Sequence, residues 1–131
     1  WPAPAALAGQ ALIAREAASG TRTAMDGFFT QHRVEPRIVM EMPSSETIKQ
    51  AVIAGMGIAF LSLHTVGLEL RHGLLQVLAI EHTPVMRAWH VVHLGSKVLS
   101  PAAEAFRYFI LEHGPAWLRG HDEGLVVALD A

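Results

Sequence analysis

The feature that most constrains this chain is a regular exchange between short apolar runs of strand length and stretches whose apolar residues recur with helical period. Residues 11–14 form an unbroken apolar run. It meets Arg15-Glu16 and then the small residues Ala17, Ala18, Ser19 and Gly20, which reads as a buried strand turning into a loop. From Thr21 onward Ala24, Met25, Phe28 and Phe29 follow helical spacing, with Arg22 and Asp26 four apart on the other side and Ser19 placed as an N-cap. Beyond Pro36, Ile38, Met40 and Met42 alternate with Arg37, Val39 and Glu41, the period of a strand. Pro43-Ser44-Ser45 supplies a break and a cap, after which residues 46–54 place Ile48, Ala51 and Val52 on one helical face.

Gly55-Met56-Gly57 stops that helix, and residues 58–61 are a continuous apolar run suited to burial on both faces. Residues 64–70 predict a short helical turn ended by Gly73. Residues 74–80 and 86–94 predict two further strands separated by a turn over 81–84. Ser100-Pro101 opens a helix in which Ala102, Ala105, Phe106, Phe109 and Ile110 form one apolar stripe, and Gly114-Pro115 is expected to stop it. Residues 119–131 start polar, finish apolar and resist assignment; a mobile tail is expected there. Strands and helices in this order predict an α/β layer on a mostly parallel sheet.

Composition narrows the classes. A chain of 131 residues can bury a real core, and 51% hydrophobic against 17% charged residues excludes disorder while leaving apolar surface that needs a partner. The formal charge of -2 gives no general attraction to phosphate backbones, so this stretch is expected to bind DNA poorly. With no cysteine, disulfides and thiolate metal sites are excluded. The opening Trp1-Pro2-Ala3-Pro4 lacks an initiator Met and the pattern of a signal peptide, and is expected to be a cut point in a longer chain. Residues 50–68 carry no formal charge and approach the ~20 residues that span a bilayer. Gly55, Gly57, Ser62, His64 and Gly67 interrupt them, so a helix ending at glycine and a buried strand is the better reading, and no membrane is expected.

Two strand-to-helix junctions gather polar groups. At Ser19-Gly20-Thr21-Arg22, hydroxyls and free backbone N–H groups converge where the helix dipole favours an anion, and Arg22 adds a charge suited to carboxylate or phosphate. The same residues also read as an ordinary capping turn, with Arg22 paired to Asp26. Ser44-Ser45-Glu46 repeats the arrangement, with Glu46 in reach of Lys49 one turn on, and reads equally well as a plain cap. Among the eight histidines His90 and His93 are the tempting metal pair, but on a strand that spacing puts them on opposite faces. No H-E-x-x-H, nucleophile elbow, Walker loop or dinucleotide fingerprint is present, so neither a metal, a cofactor nor catalysis is expected. Trp89 and Trp117 read as packing residues.

The runs REAASGTRTAMDGFFTQH, EMPSSETIKQAVIAGMGIAFLS, RAWHVVHL and SPAAEAFRYFILEHG resemble LysR-type transcriptional regulators over about residues 6 to 115. Ser-Gly-Thr-Arg, Ile-Lys-Gln-Ala-Val and Ser-Pro-Ala-Ala-Glu-Ala-Phe are most similar to regulators of carbon-fixation operons. The resemblance implies a fold similar to type 2 periplasmic binding proteins, two α/β subdomains with a small-molecule cleft between them. Residues 1–85 would be effector-binding subdomain II, 86–115 the crossover strand and helix returning to subdomain I, and 116–131 a C-terminal tail. The resemblance also implies that the Ser19–Arg22 loop lines the effector cleft and that Ser44, Ser45 and Glu46 lie at the cleft or hinge. The expected role is cytoplasmic sensing of a small anionic metabolite, with DNA bound only through an N-terminal domain absent from this sequence. Self-association through residues 86–113 is also expected, because most of subdomain I, against which that helix would pack, is missing. The alternative is a fragment of a transporter-associated solute-binding protein.

Overall fold

The computed structural model describes residues 1–120 and 124–130. After a 3-10 turn at Pro4–Leu7 the chain runs β1 (Ala11–Arg15), α1 (Gly20–Gln31), β2 (Arg37–Met42), α2 (Ser45–Ile53), β3 (Ile58–Ser62), α3 (Leu63–Arg71), β4 (Leu75–Leu78), α4 (Pro101–Arg119) and β5 (Leu125–Asp130). The sheet order is β2-β1-β3-β5-β4. Strand β1 is parallel to both β2 and β3, while β5 is antiparallel to β3 and to β4. Four strands therefore share one direction and β5 alone opposes them.

The period-two pattern of the strands sorts the core into two layers. Leu12, Ala14, Phe60, Leu125 and Val127 face Met25, Phe28 and Phe29 of α1. Ile13, Ala59, Leu61 and Ala128 face Ile48, Ala51 and Val52 of α2 and Val66 of α3. Apolar runs without alternation are what strands covered on both sides require. Edge strand β2 has one covered face, and its exposure alternates accordingly. Gly57 is needed where it stands, because a Cβ there would lie 2.4 Å from the Ala11 carbonyl oxygen.

Three expectations fail. Residues 86–94, expected as a strand, form no ladder among the described residues. Among the described residues, pairing in this stretch stops at the Val85–Leu125 bridge, and a strand forms only against a neighbour. Helix α4 does not stop at Gly114-Pro115 but continues to Arg119. Pro115 removes one backbone donor, a loss that an exposed helix tolerates because water reaches the freed carbonyl. Residues 125–130, expected to belong to a mobile tail, form the buried strand β5, with Leu125, Val126, Val127 and Ala128 at most 2% exposed. An apolar run has nowhere better to go than a gap between two strands lacking partners.

Candidate functional site

In an open α/β sheet, ligands lie beyond the carboxyl ends of the parallel strands. Both polar junctions fall there, one following β1 and one following β2. Ser19 caps α1, its Oγ accepting from Thr21 N at 3.2 Å, and Thr23 donates back to the Ser19 carbonyl. Ser19 is buried although polar. The N–H groups of Gly20 and Arg22 belong to the first-turn donors that a helix cannot satisfy from within. Ser44 caps α2 in the same way, its Oγ accepting from Thr47 N at 3.5 Å.

The two junctions are joined by a residue that the sequence reading passed over. Arg15, the last residue of β1, donates from Nη1 to Ser45 Oγ at 3.0 Å, while its carbonyl accepts from Arg22 Nη1 at 2.9 Å. Glu16 holds the other side of the Arg15 guanidinium, and that hydrogen bond keeps the Glu16 carboxyl below its ordinary range. Arg22 is similarly engaged. It donates to Glu41 at 2.9 Å and to Asp26 at 3.0 Å, and the Glu41 hydrogen bond is the main cause of its raised pKa. Its guanidinium is therefore a fastener across β1, α1 and β2.

The Glu46 carboxylate is also occupied, lying 2.8 Å from Lys49 Nζ. Lys49 reaches past it to Glu69 at 2.8 Å and the Thr65 carbonyl at 2.9 Å, tying α2 to α3. Burial works against the charge on Lys49, but the hydrogen bonds it donates to Glu46 and Glu69 outweigh it and the net shift is upward.

Arg87, also passed over, lies close to the first junction: its Nη1 is 3.8 Å from the point where a Cβ on Gly20 would sit. A second guanidinium thus stands at the positive end of α1, an arrangement that invites an anion. Nothing local in sequence marks Arg87, because it arrives on the irregular segment after β4. His64, at the first turn of α3, contributes a buried Nε2 with no partner among the described residues. Its ring faces Trp89 at 6.4 Å and Trp117 at 6.2 Å. Trp89, Phe109, Ile110 and Trp117 line an apolar groove of about 640 Å³ between α4 and the segment before it. Among the described residues no three His, Asp or Glu side chains assemble a metal site. No helix of these residues is long and apolar enough to cross a membrane.

The LysR substrate binding domain matches residues 2–115. The HTH-type transcriptional regulator CfxR of Cupriavidus necator is 49% identical over 117 residues, covering 89% of this chain and 37% of that protein. The HTH-type transcriptional regulator CbbR of Rhodospirillum rubrum is 48% identical over 104 residues, 79% of this chain and 35% of its own length. The chain thus spans little more than a third of these relatives. Among solved structures, the regulatory domain of CcmR from Synechocystis PCC6803, in complex with 2-PG, superposes with a TM-score of 0.79 at 39% identity, over 85% of this chain and 53% of that one. These relatives are transcriptional regulators, which leaves the transporter alternative without support.

Proposed function

Since the chain belongs to the LysR substrate binding domain family, we propose that it is the effector-sensing part of a transcriptional regulator of a carbon-fixation operon. It is a binding module and not an enzyme, as its relatives are regulators. The effector is a small anionic metabolite held at Ser19, Gly20, Thr21 and Arg22, with Ser44, Ser45 and Glu46 alongside. The observation that carries this reading is the Arg15 bridge, which makes one unit of two helix starts that could otherwise be unrelated caps. Gly20, Thr21 and Arg22 contribute first-turn amides and a hydroxyl. Glu46 contributes through its backbone, since its carboxylate is held by Lys49 and would repel an anion. Arg87, which makes no ion pair among the described residues, supplies positive charge beside Gly20.

Residues 1–85 form the body of one effector subdomain, and residues 86–115 cross back toward the other. The mechanism is a shift between open and closed arrangements of the two, limited by how differently the effector binds each. DNA is contacted only by a separate N-terminal domain, in the cytoplasm. Residues 86–113 carry self-association: Phe106, Tyr108 and Phe109 are 66%, 61% and 57% exposed, an apolar surface that needs cover. The compound in the CcmR complex, 2-PG, is the first effector to try, and its titration against the backbone amides of this chain tests the reading.

A further inference from the structure

The segment after β4 crosses the carboxyl edge of the parallel strands and is pinned there at Val85, Arg87 and Trp89. Val85 exchanges backbone hydrogen bonds with Leu125 at 2.8 and 2.9 Å, and Leu125 is the β5 partner of Ser62, the last residue of β3. Arg87 Nη1 stands 3.8 Å from the place of a Cβ on Gly20, at the start of α1. The Trp89 indole meets the His64 ring edge to face in the first turn of α3, with centroids 6.4 Å apart. His64 also stacks on Trp117, at 6.2 Å and 23° from parallel. Its Nε2 is buried and has no partner among the described residues. A buried polar atom left unpaired disfavours its own position, so ring contact with the indoles, and not a hydrogen bond from this atom, holds the imidazole.

We propose that His64 is a positioning residue for the anion site: by seating Trp89 it fixes the chain from Val85 to Trp89, and so holds the Arg87 guanidinium over the first turn of α1. The inference rests on the reading of that turn as the effector site, and adds the residue that aims the charge. Arg87 is exposed and carried on irregular backbone, so the single anchor before it, at Val85, does not set its direction. A second anchor after it, at Trp89, does. A guanidinium held in place beforehand loses less freedom when an anion arrives, which is what a supporting residue behind a binding group supplies. Because the flat ring acts here and Nε2 has no partner to lose, phenylalanine at position 64 should serve as well as histidine, and alanine should not.

Through-space NMR of the free chain reads this step without any effector, from the contact between the Arg87 side chain and the Gly20 α protons. The contact is expected in the unmodified chain and in His64→Phe, and is expected to vanish in His64→Ala. Trp89→Ala changes an exposed residue outside the core, should lose the contact too, and keeps the test readable if His64→Ala does not fold. Titration with 2-PG, followed at the Gly20 and Thr21 amides, should then show binding weakened about three- to tenfold in the alanine variants and little changed in His64→Phe. The inference is overturned if the contact is missing from the unmodified chain, if it survives in Trp89→Ala, or if His64→Phe loses as much affinity as the alanine variants. It is also overturned if the contact is lost while affinity stays, and saturable shifts at Gly20 and Thr21 would then still keep the site. Absence of those shifts from the unmodified chain removes the site and this inference together.

Discussion

Arg15 Nη1 and Ser45 Oγ lie 3.0 Å apart, a contact that locks the carboxyl end of β1 to the first residue of α2. Because the Arg15 carbonyl also accepts from Arg22 Nη1, the first turns of α1 and α2 share one support, and removal of the side chain should loosen the start of α2. Arg15→Ala is expected to cost about 1.5 to 3 kcal/mol, the range for a lost hydrogen bond to a charged group. It should also weaken effector binding more than Arg37→Ala does, an exposed arginine whose contact is with the Gly9 carbonyl. Urea unfolding and calorimetric titration of the two variants check this.

Two glycines make a paired prediction about packing. Gly57→Ala forces a Cβ to within 2.4 Å of the Ala11 carbonyl oxygen and should destabilise by about 1 to 3 kcal/mol. Gly27, exposed in the middle of α1, has open space around it, so Gly27→Ala should stabilise by about 0.5 to 1 kcal/mol. Thermal unfolding of both variants should move the midpoint in opposite directions.

The Lys49–Glu69 pair sets an acid limit on stability. The hydrogen bond from Lys49 lowers the Glu69 pKa despite burial, so the folded form holds its proton less tightly than the unfolded chain. Stability from this group is therefore fully present above the ordinary carboxylate range near 4.5 and is lost as pH falls through the depressed folded value. Lys49 shifts the other way, so its contribution is present below its ordinary value of 10.5 and lost as pH rises above it. Glu69→Gln should flatten the acid limb of a stability-versus-pH curve measured by urea unfolding, and should lower stability at neutral pH by about 1 to 3 kcal/mol. An unchanged acid limb would mean that the pair does not link α2 to α3 in solution.

The uncovered stripe on α4 predicts association. Each phenylalanine left in water forgoes roughly 1.5 to 3 kcal/mol of burial. Light scattering is expected to give a dimer or larger for the unmodified chain and a monomer for Phe106→Asp with Phe109→Asp. A concentration-independent monomer of the unmodified chain would mean that α4 needs no partner.

The sequence revealed whatever depends on local periodicity and missed what depends on distant partners. Ser19 and Ser44 were legible as caps because a cap is decided by its own helix, and Ile13, Ile48 and Phe28 were legible as core because their spacing matches their element. Residues 86–94 have the composition of a strand, yet strand formation is settled by a neighbour that composition cannot announce. Residues 125–130 failed in the opposite sense, an unremarkable apolar run given a central place by the open edges of β3 and β4. The site divides in the same way. Arg22 was legible as an ion-pair residue through Asp26, four positions away, whereas its bond to Glu41 and the approach of Arg87 to Gly20 are products of the tertiary fold.

The proposed anion site at the paired helix starts is tested most directly by following backbone amide resonances of this chain while 2-PG is added to millimolar concentration, where weak binding is still visible. The expected result is saturable shifts at Ser19, Gly20, Thr21 and Arg22, smaller ones at Ser44, Ser45 and Glu46, and a marked loss of both when Arg87 is replaced by Ala. Saturable shifts confined to the α4 groove, or none at Gly20 and Thr21 at the highest concentration, would contradict the site.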